Sequence, residues 1–175
     1  IPIRKRLETI AKFRERIVEL HETLARTLTS EVGKPIRQSR NELNGLLGRL
    51  DFFLAESLHA LREEKVYTDP KQKLDERISH VPLGVIANIS AWNYPYFVGS
   101  NVFVPALGAG NAVLYKPSEF APLTGLHIAD MLHESGVPED VFVPVIGDGA
   151  TGAALLRQPI DGVFFTGSYA TGAKI

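Results

Sequence analysis

The sequence predicts an α/β fold: a doubly wound, mainly parallel sheet, preceded by a pair of helices and a small antiparallel hairpin. Three observations predict it. Apolar runs suited to strands recur at Val85–Ile89, Ala112–Tyr115, Val141–Ile146 and Gly162–Phe165, all between residues 81 and 168. The segments between them are too long for hairpin loops and are patterned as helices. Val85–Ile89 and Ala112–Tyr115 should therefore pair in parallel through a crossover and be buried on both faces. Upstream, apolar residues from Ile3 to Leu61 recur at three- and four-residue steps, the period of an amphipathic helix.

In chain order, Ile3, Leu7, Ile10, Ile17, Leu20, Leu24 and Leu28 form one stripe, with Phe13 beside it and Lys, Arg and Glu on the outer face. Gly33 and Pro35 in EVGKP stop that helix. A second stripe, Leu43, Leu46, Leu47, Leu50, Phe53, Leu54, Leu58 and Leu61, follows after a short link, so the two helices should be antiparallel neighbours. Their expected role is structural. Residues 65–80 are more polar; Asp69-Pro70 marks a turn between extended Val66-Tyr67 and Leu74–Ile78. A hairpin with so little apolar surface is marginal alone, and it is expected to complete a sheet with another chain. Beyond the central βαβ unit, the stripe Leu123, Leu126, Ile128, Ala129, Leu132 and His133 reads as a helix ending at Ser135-Gly136, with Pro138 beyond it. Ala150–Leu156 reads as a short helix. The chain reaches Ile175 one turn into a further helix, so this α/β unit reads as incomplete.

Composition excludes several classes. With 175 residues, 45% of them hydrophobic, the chain can bury one good core and a small second unit. A net charge of −1 gives no field for nucleic acid or an anionic membrane. No basic cluster is interleaved with aromatics. Asn88, Ser90, Asn93 and several glycines interrupt the longest apolar stretch, so nothing reads as a membrane span. The opening IPIRKRLETI is amphipathic rather than a signal peptide, which makes the cytoplasm the expected compartment. There is no cysteine, hence no disulfide, thiolate metal site or thiol nucleophile within this chain. The histidines at 21, 59, 80, 127 and 133 have no metal-binding spacing, and no metal site is predicted.

In open parallel sheets ligands collect at the carboxyl ends of the strands. Those ends carry SAWNYPY after the first strand and KPSE after the second, which puts Trp92, Asn93, Lys116 and Glu119 where a ligand would sit. An amide held by aromatics, as at Asn93, can donate to a developing oxyanion; an asparagine in a turn before proline competes with that reading. Lys116 could donate to ribose hydroxyls and Glu119 accept from them, against the alternative of a solvated surface ion pair. Gly147-Asp148-Gly149-Ala150-Thr151-Gly152 matches G-x-G-x-x-G between a strand and a helix. Its acidic partner, due about 20 residues later, is missing, so a plain tight turn competes with a phosphate turn. Thr166-Gly167-Ser168, with Gly172 behind it, is the other phosphate candidate, because Ser168 brings a hydroxyl beside free helix N–H groups. An ordinary serine N-cap looks the same in sequence.

Taken in order, EVGKP, PLGVIANISAWNYPY, PALGAGNAVLYKPSE, GVPEDVF, GDGATGAALL and FFTGS resemble the aldehyde dehydrogenase superfamily. The resemblance covers most of residues 30–175, and six motifs in register are highly specific. It implies a helical segment at 1–64, an oligomerisation-type hairpin at 65–80, and an incomplete Rossmann-like NAD(P)-binding domain at 81–175 with the catalytic domain absent. Asn93 falls on the family's oxyanion asparagine, and Trp92 and Ser168 fall on positions that contact the cofactor pyrophosphate. Lys116 and Glu119 fall on the pair that holds the adenosine ribose. Gly147, Gly149 and Gly152 fall in a glycine-bearing turn near the adenine, and Gly167, Ser168 and Gly172 match its G-S-x-x-x-G segment. Ala91 stands where the family usually has proline. The family's nucleophilic cysteine and general-base glutamate lie in sequence beyond Ile175. The activity implied is oxidation of a small-molecule aldehyde to an acid or acyl product with NAD, NADP being possible, by a homodimer or homotetramer. A catalytically inactive nucleotide-binding or assembly module is the competing expectation, and a generic dinucleotide dehydrogenase built on 147–152 is a third.

Overall fold

A computed structural model describes all residues, 1–175. Helix α1 (Ile3–Val32) ends at Gly33, whose φ of 71° and N–H bond to the Thr29 carbonyl close the last turn. Only glycine takes that left-handed conformation at little cost. Helix α2 (Ile36–Ala60) starts after Pro35 and runs back along α1. Its far end carries Leu58 into solvent, so the sequence stripe overstates the buried face there. Strands β1 (Glu64–Asp69) and β2 (Leu74–Ile78) form a separate antiparallel ribbon that leaves Val66, Tyr67, Leu74 and Ile78 exposed.

The main sheet holds β3 (Val85–Ile89), β4 (Ala112–Lys116), β5 (Phe142–Pro144) and β6 (Gly162–Phe165), all parallel, in the order β5-β4-β3-β6. Helices α3 (Pro95–Ala109), α4 (Pro122–Glu134) and α5 (Gly149–Leu155) make the crossovers, and α6 (Tyr169–Gly172) follows β6. The chain moves outward from β3 to β5, then returns to the far side of β3. Right-handed crossovers therefore place α3 and α4 on one face and α5 on the other, with a topological switch point between β3 and β6.

The core lies on the α3–α4 face, under α1 and α2. It joins 23 buried residues from these four helices, β3–β5 and the turn after α4, and none from α5, α6 or β6. Phe103 is its centre, edge-on to Phe13, Tyr115 and Phe142 with ring centroids 6.2, 5.5 and 5.2 Å away. Helix α3 approaches β4 closely at Gly99, where a Cβ would stand 2.8 Å from the Tyr115 hydroxyl. Asn88, in the middle of β3, donates to the Gly99 carbonyl at 2.9 Å.

Two expectations need correction. Strand β5 is shorter than Val141–Ile146: Val141 and Phe142 donate back to Pro138 in a turn, and beyond Pro144 only the Val145 N–H still bonds β4, at the Tyr115 carbonyl. The buried face of α4 falls on Thr124, Gly125, Ile128, Ala129, Met131 and Leu132, leaving Leu123 and Leu126 exposed. The expected burial on both faces holds for the centre of β3, whereas β6 leaves Val163 and Phe164 41% and 42% exposed. Strand β6 is an edge strand beyond the reach of α1–α4. No helix is long and apolar enough to cross a membrane.

Candidate functional site

At the carboxyl edge of the sheet, the loops after β3, β4 and β6 and the start of α5 surround a cleft of about 750 Å³. That volume is in the range of small-molecule and cofactor sites. Trp92, Asn93, Lys116, Glu119, Gly149, Gly152, Gly167 and Ser168 all line it. Gly147 and Gly172 lie behind the wall rather than in it. Thr166 lines it as well, and lining residues that escaped the sequence reading include Phe120, Thr171 and Lys174. Phe120 packs edge-on against Trp92 with centroids 6.3 Å apart, making an aromatic rim. An aromatic directly after KPSE was the available signal.

The β3 loop is anchored from behind. The buried Glu42 of α2 accepts from the N–H groups of Tyr96 and Phe97 at 2.8 and 3.2 Å, satisfying amides that the first turn of α3 leaves without partners. Lys34 pairs with the same carboxylate and donates to the Asn93 carbonyl at 2.8 Å. Burial pushes the Glu42 carboxyl above the usual carboxylate range, against the pull of Lys34 and the two amides. Asn93 thus gives its backbone carbonyl to Lys34, and the residue lines the cleft.

The β4 loop differs from expectation at Lys116. It is the last residue of a central strand and only 4% exposed, so it is no solvated surface cation. Its Nζ donates to the Pro117 carbonyl at 3.1 Å. Burial holds its pKa below the ordinary lysine value, opposed by the carboxylates of Glu119 and Asp148. Glu119 is exposed and accepts from Ser118 Oγ at 3.4 Å. Behind this loop, α4 presses on Pro117, where a Cβ on Gly125 would lie 2.4 Å from the proline ring. Glu31 of α1 accepts from the Thr124 N–H at 2.8 Å and so caps α4 as Glu42 caps α3.

The G-x-G-x-x-G segment is already occupied by its own acid. Asp148 Oδ1 accepts from Ala150 and Thr151 N–H at 2.9 and 3.3 Å. A carboxylate at that helix start would repel a pyrophosphate, so the segment is a capped tight turn whose Gly149 and Gly152 reach the cleft. Ser168 is an N-cap, accepting from Thr171 N–H at 3.2 Å, and it lines the cleft as well. The cleft therefore combines a buried ammonium with donors to spare, a nearby carboxylate, an aromatic rim and bare glycine backbone. These features fit the ribose, rings and phosphates of a dinucleotide.

A parallel sheet with a ligand-sized cleft at its switch point defines the class of Rossmann-like α/β proteins. The model of the aldehyde dehydrogenase family matches residues 1–175, and the chain belongs to that family. The N-succinylglutamate 5-semialdehyde dehydrogenase of Sphingopyxis alaskensis is 35% identical over 175 residues, covering 99% of this chain and 36% of that protein. The enzyme of the same description from Legionella pneumophila (strain Paris) is 39% identical over 171 residues, 95% of this chain and 33% of that one. Among solved structures, an NAD-dependent aldehyde dehydrogenase from Sinorhizobium meliloti superimposes with a TM-score of 0.92 at 31% identity, over 99% of this chain and 35% of its own. A glyceraldehyde-3-phosphate dehydrogenase from Methanocaldococcus jannaschii, complexed with NADP, gives a TM-score of 0.88 at 27% identity, over 99% of this chain and 39% of its own. The chain spans about a third of the length of the curated relatives it matches.

Proposed function

We propose that this chain is the cofactor-binding part of an NAD(P)-dependent aldehyde dehydrogenase that oxidises a small aldehyde to an acid or acyl product. The observation that carries the reading is one cleft at the switch point, lined by Asn93 from the β3 loop and by Lys116 and Glu119 from β4. In this reading residues 81–175 hold the cofactor, 1–64 support it, and 65–80 form the assembly hairpin. When bound, the dinucleotide supplies the hydride acceptor. Lys116 donates to the adenosine ribose hydroxyls and Glu119 accepts from them. Trp92 and Ser168 contact the pyrophosphate, Gly167 lets it approach the backbone, Gly149 borders the adenine side, and Gly147 and Gly172 shape the turns behind. The Asn93 amide donates to the oxyanion formed when a thiolate adds to the aldehyde carbon. This chain has no cysteine, so that thiol and the general base come from the remainder of a longer enzyme.

The Glu119 carboxylate would repel a 2′-phosphate, which favours NAD over NADP. The exposed apolar residues of the β1–β2 ribbon support a homodimer or homotetramer, and a cytoplasmic enzyme accompanies the reading. The test is Asn93→Ala in the full-length enzyme. Its kcat should fall by the equivalent of about 3 kcal/mol with NAD affinity retained. An unchanged kcat, or a collapse of NAD affinity in its place, overturns the assignment.

A further inference from the structure

We infer that Lys34 and Glu42 are positioning residues for the Asn93 amide, clamping the β3 loop from the side opposite the cleft. The inference rests on the proposed oxyanion role of Asn93 and adds the residues that aim it. Its basis is a set of contacts converging on four residues of the loop and helix start, Asn93, Tyr94, Tyr96 and Phe97. The Lys34 ammonium meets the Glu42 carboxylate, the Asn93 carbonyl at 2.8 Å and the face of the Tyr94 ring at 4.2 Å. The other Glu42 oxygen holds the N–H groups of Tyr96 and Phe97. A backbone fixed at the Asn93 carbonyl and again at residues 96 and 97 leaves the Asn93 side chain little freedom of direction.

The cost of this arrangement argues for a purpose beyond packing. The two side chains are 10% and 0% exposed, and a buried ion pair is often no more stable than apolar residues of the same volume. The α1–α2 hairpin has a leucine-rich interface of its own. Neither residue lines the cleft, so neither is a catalytic residue. What the pair does reach is the loop that carries Asn93. Gly33 and Pro35 set the reach on one side, by ending α1 and starting α2 around Lys34.

A displacement of about 1 Å in a catalytic group can cost on the order of a hundredfold in rate. In the full-length enzyme, Lys34→Met should therefore lower kcat by roughly ten- to a hundredfold, with NAD affinity held within about twofold. Glu42→Gln keeps an acceptor for the two amides and should give a smaller loss of the same kind. The decisive measurement combines each variant with Asn93→Ala. If the pair acts through Asn93, the double variants have the kcat of Asn93→Ala alone. A merely structural role predicts that the losses multiply, which would overturn the inference, as would wild-type kcat in either folded single variant. Should Lys34→Met not fold, Glu42→Gln and its double variant decide. An unchanged kcat in Asn93→Ala removes the oxyanion reading and this inference with it. A full loss there with wild-type kcat in Lys34→Met and Glu42→Gln removes this inference alone.

Discussion

On the sheet face covered by α1–α4, Phe13, Phe103, Tyr115 and Phe142 are sealed from solvent, whereas Val163 and Phe164 of β6 keep about two-fifths of their surface exposed. The same sheet is thus closed on one side and open on the other. The candidate site lies along the boundary. Its loops are fastened from the closed side by Glu31, Lys34 and Glu42, each reaching out of the helical pair to a helix start or loop. Its outer wall is thin: short α5 and α6, Phe120, and the end of β6. Rigidity is supplied where side chains must be aimed, and access is left where a ligand must enter.

The sharpest way to break this contrast is at Phe103. Phe103→Ala should destabilise the chain by about 4 kcal/mol, read as a shift of the urea midpoint at constant slope. A loss near 1 kcal/mol would mean that the closed face is less well packed than described.

The open side is tested by cofactor choice. Glu119→Gln in the full-length enzyme removes a charge and keeps an acceptor, so kcat/KM for NADP should gain on that for NAD by about 1–3 kcal/mol. An unchanged ratio would mean that the glutamate does not face the ribose.

Lys116 sits at the boundary and should show the cost of a buried charge. Its folded-state pKa lies below the ordinary 10.5, so the ammonium destabilises the fold while it is protonated. That cost is fully present below the folded pKa and is relieved as pH rises through it towards the unfolded value. Lys116→Met should stabilise the chain by about 1 kcal/mol at neutral pH. The gain should shrink on alkaline titration, and a gain independent of pH would contradict the burial argument.

The smallest effect belongs to β6. Phe164→Thr keeps strand propensity and should change stability by no more than about 0.5 kcal/mol in this chain, measured by the same urea titration. A loss approaching that of Phe103→Ala would show that the open face is covered after all.

The sequence by itself determined the order and type of the elements, since strand and helix periods are local properties that side-chain pattern writes directly. Strands β3 and β6 begin and end where the apolar runs do. The carboxyl-end loops were legible for the same reason, and with them Trp92, Asn93, Lys116 and Glu119. Local pattern could not decide among readings that use the same residue differently. Asp148 turns a G-x-G-x-x-G match into a self-capped turn, and the burial of Lys116 removes the reading of a solvated surface ion pair. Only the tertiary structure decided these, and only it brought Lys34 and Glu42 to Asn93, about 59 residues from the lysine along the chain. Such contacts depend on how helices α1 and α2 dock on the sheet. The docking is set by the whole apolar face at once, and no single residue's neighbours in sequence encode it.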